Sequence, residues 1–441
     1  MGPSIRAMRA QPPPSAQPPV LLLTPADIED LTEALNVYCA QFEPLFRRSE
    51  QRLWARKYLE GQLLDLQRKS IEPMALALTG GNVQAMQQFI SEGRWDDEAV
   101  LRQHQQLVAD TLGDAATGVL ILDGCDFPKQ GEESVGVARQ YCGALGKVAN
   151  CQASVLAAYA SGRGYTLVDR RLYLPAEWFD DAHAARREDC GVPASVRMQT
   201  KPELAWDMVR AITARDALPF RYVTLDEGFG RNTALLDRVA GAERIYLAEV
   251  PHDTEVWQER PVPPANRLPG VRLIDPPPLP ARVDTVARQL PQAAWRVATI
   301  KQGSKGPLVV QVACLRVIAK RESVPGPEVW LVLRRGLEPD AELKTYLCNA
   351  PADTPHGTLV WLLGMRWPIE LAIREGKDEL GMDHYEVRGW RGWYHHLTLT
   401  FLAHHFLVWQ QIQLGGKITR LDLAPSALAA HRHPAPASLR C

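Results

Sequence analysis

Three acidic residues stand in contexts that metal-assisted chemistry requires. Asp123 closes the apolar run Val119-Leu120-Ile121-Leu122. Asp226 closes Tyr222-Val223-Thr224-Leu225 and leads into Glu227-Gly228-Phe229-Gly230. Glu370 lies in Arg366-Trp367-Pro368-Ile369-Glu370, with Lys377 seven residues further on. Two strand-end aspartates and a helical glutamate are hard oxygen ligands of the kind that hold a pair of Mg²⁺ ions, with Mn²⁺ as a substitute. Such a pair activates an attacking oxygen and stabilises a leaving one at phosphorus.

Each acid also has a plainer alternative. On a helix, positions 366, 370, 374 and 377 fall at about 0°, 40°, 80° and 20°. Arg366, Glu370, Arg374 and Lys377 therefore share a face, either as phosphate-binding cations around a ligand or as a solvated ion-pair stripe. Pro368 requires that helix to restart with the proline in its first turn. An acid at the carboxyl end of a buried strand, followed by glycines, is where open α/β sheets place ligand chemistry, and a capping or turn aspartate is the other reading of Asp226. Asp126, three residues past Asp123, competes with it for a ligand role. Asp123 is preferred because it directly follows the apolar run. His395, His396, His404 and His405 share one predicted helix without an i,i+4 pair, which points to packing or solvent rather than zinc. Gly143 to Val148 lacks the first glycine and the Ser/Thr of a phosphate loop.

The elements that must position these acids follow from pattern. Thr24-Pro25-Ala26-Asp27 caps a first helix, Ser49 opens a second, and helical stretches follow around Val83–Ile90 and Asp96–Leu112. This helical part, residues 23–113, is either a DNA-contacting bundle or a structural one. Strand character begins at Val119. Two further strands, Val148–Tyr159 and Tyr165–Leu174, are joined by the turn Ser161-Gly162-Arg163-Gly164. A helix over Pro202–Arg215, a strand over Arg221–Leu225, a helix over Thr233–Ala240 and a strand over Arg244–Val250 complete the order β-β-β-α-β-α-β. That order, followed by a detour and the helix with Glu370, is that of an RNase-H-like nuclease core.

The fold class expected is thus α/β: an RNase-H-like mixed-sheet core, residues 114–250 and 357–415, preceded by the helical domain. A β-rich insertion at 251–356, entered through the prolines crowding 261–280, interrupts the core. Residues 1–22 and 416–441 read as loose tails.

Composition sets the remaining bounds. The 441 residues, 46% apolar and 23% charged, have the profile of a globular protein of two or three domains. No apolar stretch reaches the roughly 18 residues of a membrane span, and Leu397–Trp409 is interrupted by His404 and His405. The Pro-, Gln- and Ala-rich start lacks the apolar core of a secretory leader. Eight scattered cysteines without a CxxC pair argue against a zinc knuckle or disulfide framework and suit a reducing cytoplasm. The net charge of −1 conceals local basic segments: ten Lys/Arg against three acids over 281–335, and seven against three over 47–69. Such segments permit nucleic-acid binding without demanding it.

Longer stretches resemble bacterial insertion-sequence transposases of the Asp-Asp-Glu (DDE) class. They include Asp123 with Phe127-Pro128-Lys129-Gln130-Gly131, Ser134 to Gly143, Gly146 to Gln152, and Asp169-Arg170-Arg171-Leu172-Tyr173-Leu174-Pro175. Further on come Glu177-Trp178-Phe179, Asp226 to Gly230, Arg366 to Glu370 and Gly381 to Arg388. The resemblance implies that Asp123, Asp226 and Glu370 are the metal-binding triad, and that Arg366 and Lys377 are the cations of a Tyr-x2-Arg-x3-Glu-x6-Lys signature. Leu363 replaces that tyrosine, and Asp123-Gly124-Cys125-Asp126 replaces the usual Asp-Asp-Thr-Gly.

It further implies double-stranded DNA as partner (terminal inverted repeats and target), a synaptic homodimer, no membrane, and a bacterial, nucleoid-associated setting. The β insertion resembles one that supports distortion of DNA ends in hairpin-forming relatives. Lys129, Arg139 and Lys147 are expected backbone contacts, and Trp295 is a candidate for stacking on a displaced base, with core packing as the favoured alternative. A domesticated or decayed relative that binds DNA without cutting it is the main rival reading, and a cellular RNase-H-like nuclease without strand transfer is a third.

Overall fold

The computed structural model describes residues 25–261, 278–303, 306–338 and 340–413. The expected tails, the Thr24 cap and most of the proline-rich run lie outside these residues. The chain opens with helices α1 (Pro25–Ala40), α2 (Ser49–Gln62), α3 (Ile71–Ala77), α4 (Val83–Ser91) and α5 (Asp97–Leu112). Asn82 and Asp96 cap α4 and α5, each accepting a backbone N–H with its side chain.

Strands β1 (Val119–Pro128), β2 (Ala138–Cys142), β3 (Lys147–Ser161) and β4 (Gly164–Tyr173) come next, then helices α6 (Ala184–Asp189) and α7 (Lys201–Ala214). The run β5 (Tyr222–Leu225), α8 (Glu227–Gly230), α9 (Thr233–Gly241) and β6 (Ile245–Glu249) completes the first half of the core. β1, β3 and β4 form an antiparallel meander, while β5 runs parallel to β1 and β6 parallel to β5. The α/β fold class with an RNase-H-like mixed sheet is therefore found. Strand β2, which pairs with the start of β3, was not expected.

Continuous apolar runs make the central strands because both sheet faces are covered. Val119, Ile121, Leu156 and Ala158 face a core shared with the N-terminal helices. Leu120, Leu122, Val155 and Ala157 face a second core with α7 and α9.

The detour contributes β7 (Glu255–Trp257), β8 (Ala281–Arg282), α10 (Val283–Gln289), β9 (Arg296–Gly303), β10 (Gly306–Arg321), β11 (Val324–Arg335) and β12 (Lys344–Cys348). β12 pairs antiparallel with β6, so the detour's strands extend the core sheet to twelve strands among the described residues.

Helices α11 (His356–Gly364), α12 (Trp367–Leu380) and α13 (Trp390–Gln413) close the chain. α13 is buried almost all round, and its histidines are packed and hydrogen-bonded, as the packing alternative had it. His396 Nδ1 lies 2.8 Å from Tyr58 Oη, and His405 Nδ1 lies 3.1 Å from Tyr38 Oη. His404 Nε2 lies 3.0 Å from Glu375 Oε2, and His395 Nδ1 lies 2.8 Å from the Ile90 carbonyl. These contacts lock α1, α2, α4 and α12 onto one central helix. Among the described residues no helix is long and apolar enough to cross a membrane.

Candidate active site

Register alone brings the first two acids together. Leu122 is level with Leu225 in the parallel β1–β5 pair, so the next residues, Asp123 and Asp226, sit side by side at the carboxyl ends of adjacent strands. The β5–β6 pair repeats this: Leu225 is level with Ala248, which sets Glu249 beside Asp226. Three neighbouring strands thus carry an acid at one level. Asp226 also caps α8, its Oδ1 accepting the Phe229 N–H at 3.0 Å. Its capping and clustering roles therefore coexist.

Glu370 arrives from the other chain segment. Helix α12 restarts directly after Arg366, with Pro368 in its first turn, so the proline causes no kink. Arg366 then occupies the middle of the cluster. Its Nη1 lies 3.1 Å from Glu370 Oε1 and 3.7 Å from Asp123 Oδ2, and its Nε lies 3.6 Å from Glu249 Oε2. Lys344 on β12 holds the opposite oxygen of Glu249 at 2.9 Å.

The electrostatics follow from crowding of like charges. Burial, and then the neighbouring Asp226 carboxylate, push Asp123 up to about 7. Burial likewise raises Asp226 above the usual carboxylate range, against the pull of the Phe229 N–H and Arg366. For Arg366, burial works against its charge, but Asp123, Glu370, Glu249 and Asp226 outweigh it and its pKa rises. The cluster is short of positive charge.

The donor chemistry suits a divalent cation: the acids that meet here, Asp123, Asp226, Glu249 and Glu370, all offer carboxylate oxygens. Among the described residues no three His, Cys, Asp or Glu side chains close into a ready-made metal cage. The Arg366 guanidinium lies between Asp123 and Glu370.

The other expected residues divide. Lys377 Nζ donates to the Asp126 carbonyl at 3.0 Å, and Arg374 is exposed on α12. Lys129 is packed 3.5 Å from the Tyr385 ring, and burial lowers its pKa to about 8. Arg139 and Lys147 are exposed on the β2–β3 hairpin. Of the two readings of Trp295, core packing is the one found: it is 8% exposed, its ring covered by Arg335 at 3.9 Å, so it is not an exposed stacking residue. Leu363, at the signature's tyrosine position, is buried on α11. Glu249 was missed, although it ends a strand that the sequence outlines. An acid after Ile245-Tyr246-Leu247-Ala248 is the same signal that marks Asp123 and Asp226.

Residues 41–307 match the family described as DDE superfamily endonuclease, and this chain belongs to that family. The match covers the strands of Asp123, Asp226 and Glu249 and stops before α12. Over 213 residues the chain is 25% identical to the probable transposase for insertion sequence element IS701 of Microchaete diplosiphon. That alignment takes in 48% of this chain and 52% of the relative, so the chain spans about half of that protein's length.

Proposed function

We propose that this chain is a DNA transposase that cleaves phosphodiesters at insertion-sequence ends and joins the freed 3′-hydroxyls to target DNA. The observation that carries this reading is the meeting of Asp123, Asp226 and Glu370 on one face of an RNase-H-like sheet in a DDE-family chain. Two Mg²⁺ ions, or Mn²⁺, bound by these carboxylates supply activation of the attacking oxygen and stabilisation of the leaving one.

The protein's part is placement. Asp123 and Asp226 are fixed by strand register and by the α8 cap, while Glu370 approaches on α12. Arg366 and Lys377 neutralise and orient the scissile phosphate, and Arg374 on the same helix meets the flanking backbone. Glu249 and Lys344 hold Arg366 in reach of that phosphate.

The functional units follow the chain: a helical region at 23–113, the catalytic core at 114–250 and 357–415, and the β insertion at 251–356. Two chains act together, because two element ends must be held at once. The setting is the bacterial cytoplasm and its chromosomal DNA.

One observation favours the rival, a relative that binds DNA without cutting it: a guanidinium already bridges Asp123 and Glu370. A labelled duplex bearing the inverted repeat that flanks the gene separates the two readings. Incubated with Mg²⁺ or Mn²⁺, the wild type nicks at the element end, while Asp226→Ala and Glu370→Ala do not. Binding of that end without nicking by the folded wild type establishes the rival.

A further inference from the structure

Arg366 sits where a divalent ion must enter. Its Nη1 lies 3.1 Å from Glu370 Oε1 and 3.7 Å from Asp123 Oδ2, so the guanidinium engages carboxylate oxygens that such an ion needs. Two cations at that separation repel, and a side chain three-quarters buried has little water to screen it.

Glu249 offers the guanidinium a second place. It is level with Asp226 and two strands from Asp123, about 10 Å away at ordinary strand spacing. That is too far for one ion to touch both carboxylates. Arg366 spans the gap: while Nη1 faces Asp123 and Glu370, its Nε is already 3.6 Å from Glu249 Oε2. Glu249 is itself fixed. Its side chain is buried, and its partner across the β6–β12 pair is Tyr346, which puts Lys344 two residues along on the same face. Lys344 Nζ holds Oε1 at 2.9 Å, which turns Oε2 to Arg366. Lys344 also pairs with Glu342 at 3.1 Å, so it does not cancel the charge of Glu249 in full.

We infer that Glu249 is a positioning residue: it is the seat to which Arg366 withdraws when a divalent cation takes Asp123 and Glu370. The move needs only rotation of one side chain that already faces both places. The inference rests on the metal-dependent chemistry proposed above. It adds an exchange in which the resident cation yields to the incoming one and stays beside the site instead of passing into solvent. Lys344 stands on β12, so the exchange is also tied to the β-rich insertion.

The test is Mn²⁺ binding by the full chain without DNA, with free Mn²⁺ read by electron paramagnetic resonance. Wild type, Glu249→Gln, Arg366→Gln and the double variant are compared. Glu249→Gln is expected to weaken binding about tenfold, as loss of an outer partner of a metal site does. Arg366→Gln is expected to tighten it, and in that background Glu249→Gln is expected to change it by less than about twofold. Thermal unfolding in EDTA establishes that each variant is folded. If Glu249→Gln does not fold, Lys344→Gln takes its place with the opposite sign: binding tightens in the wild-type background and is unchanged in Arg366→Gln.

Equal losses in the two backgrounds would make Glu249 a ligand or a remote charge and overturn the exchange. Wild-type Mn²⁺ affinity in folded Glu249→Gln would overturn it too, and either result leaves the transposase reading standing. A folded wild type that binds no Mn²⁺ would remove both the exchange and the two-metal reading.

Discussion

Arg366 and Glu370 stand one helical turn apart, and Arg366 Nη1 donates to Glu370 Oε1 at 3.1 Å. The same nitrogen lies 3.7 Å from Asp123 Oδ2, so one side chain joins the start of α12 to β1. Arg366 is thus the resident counter-charge of the cluster. Cations that enter must share or displace it.

Arg366→Gln removes that charge and leaves four carboxylates facing one another. In EDTA its Tm is expected to fall by several degrees, since leaving buried charged groups without partners costs on the order of 1–3 kcal/mol. Added Mn²⁺ is expected to restore the loss, with a midpoint at lower Mn²⁺ than in the wild type. A Tm equal to the wild type's in EDTA would show that the guanidinium has no such role.

The raised pKa of Asp123 makes a signed prediction. Its folded value of about 7 lies above the roughly 3.9 of an unfolded Asp, so between those values the native state holds the extra proton. Its contribution is fully present below about pH 4 and is lost as pH rises through 7. Asp123→Asn has no carboxylate to ionise there. The Tm difference, variant minus wild type, is therefore expected to grow from pH 4 to pH 7 in EDTA and then level off. A flat difference would mean that Asp123 ionises normally.

How legible the site was depended on whether its signal was local. Asp123 and Asp226 end apolar runs that form strands buried on both faces, and this pattern needs only a few neighbouring residues. Glu249 carries the same pattern, but its significance arises from register across three strands, which no local pattern encodes. Hairpin β2 was invisible because Arg139 and Tyr141 face solvent while Ala138 and Cys142 supply little apolar weight. For Trp295 the sequence left two readings, and the choice between them rests on a contact with Arg335, forty residues along the chain. The joining of β12 to β6 likewise rests on contacts about a hundred residues apart.

The histidines of α13 oppose Asp123 in pH dependence. Burial lowers His396 to about 4 and His395 to about 3, so both stay neutral in the fold below the ordinary histidine range. The unfolded chain takes up their protons near pH 6.5, and the stability they give is lost as pH falls from there toward 4. Tyr58→Phe removes the partner of His396 Nδ1, leaving that nitrogen buried without its hydroxyl. It is expected to cost about 1 kcal/mol at pH 7 in urea unfolding, and a double-mutant cycle with His396→Ala is expected to show coupling of that order. Additive effects would refute the pairing.

Gly230 sets the position of Asp226 through packing rather than charge. A Cβ at residue 230 would come within 1.9 Å of the Glu249 carbonyl oxygen, a backbone atom of β6 that cannot move aside. The first turn of α8 must then lift away, and that turn contains the Phe229 N–H that Asp226 accepts. Gly230→Ala is expected to lower Tm and to lose metal-dependent cleavage at least tenfold more than Gly241→Ala, where a Cβ meets nothing within 4 Å. Gly230 and Glu249 also link the two halves of the cluster: displacing α8 disturbs Asp226, its N-cap just past β5, and the β6 backbone that carries Glu249. A Gly230→Ala protein that keeps wild-type Tm and cleavage would show that α8 is held elsewhere and that Asp226 does not depend on its cap.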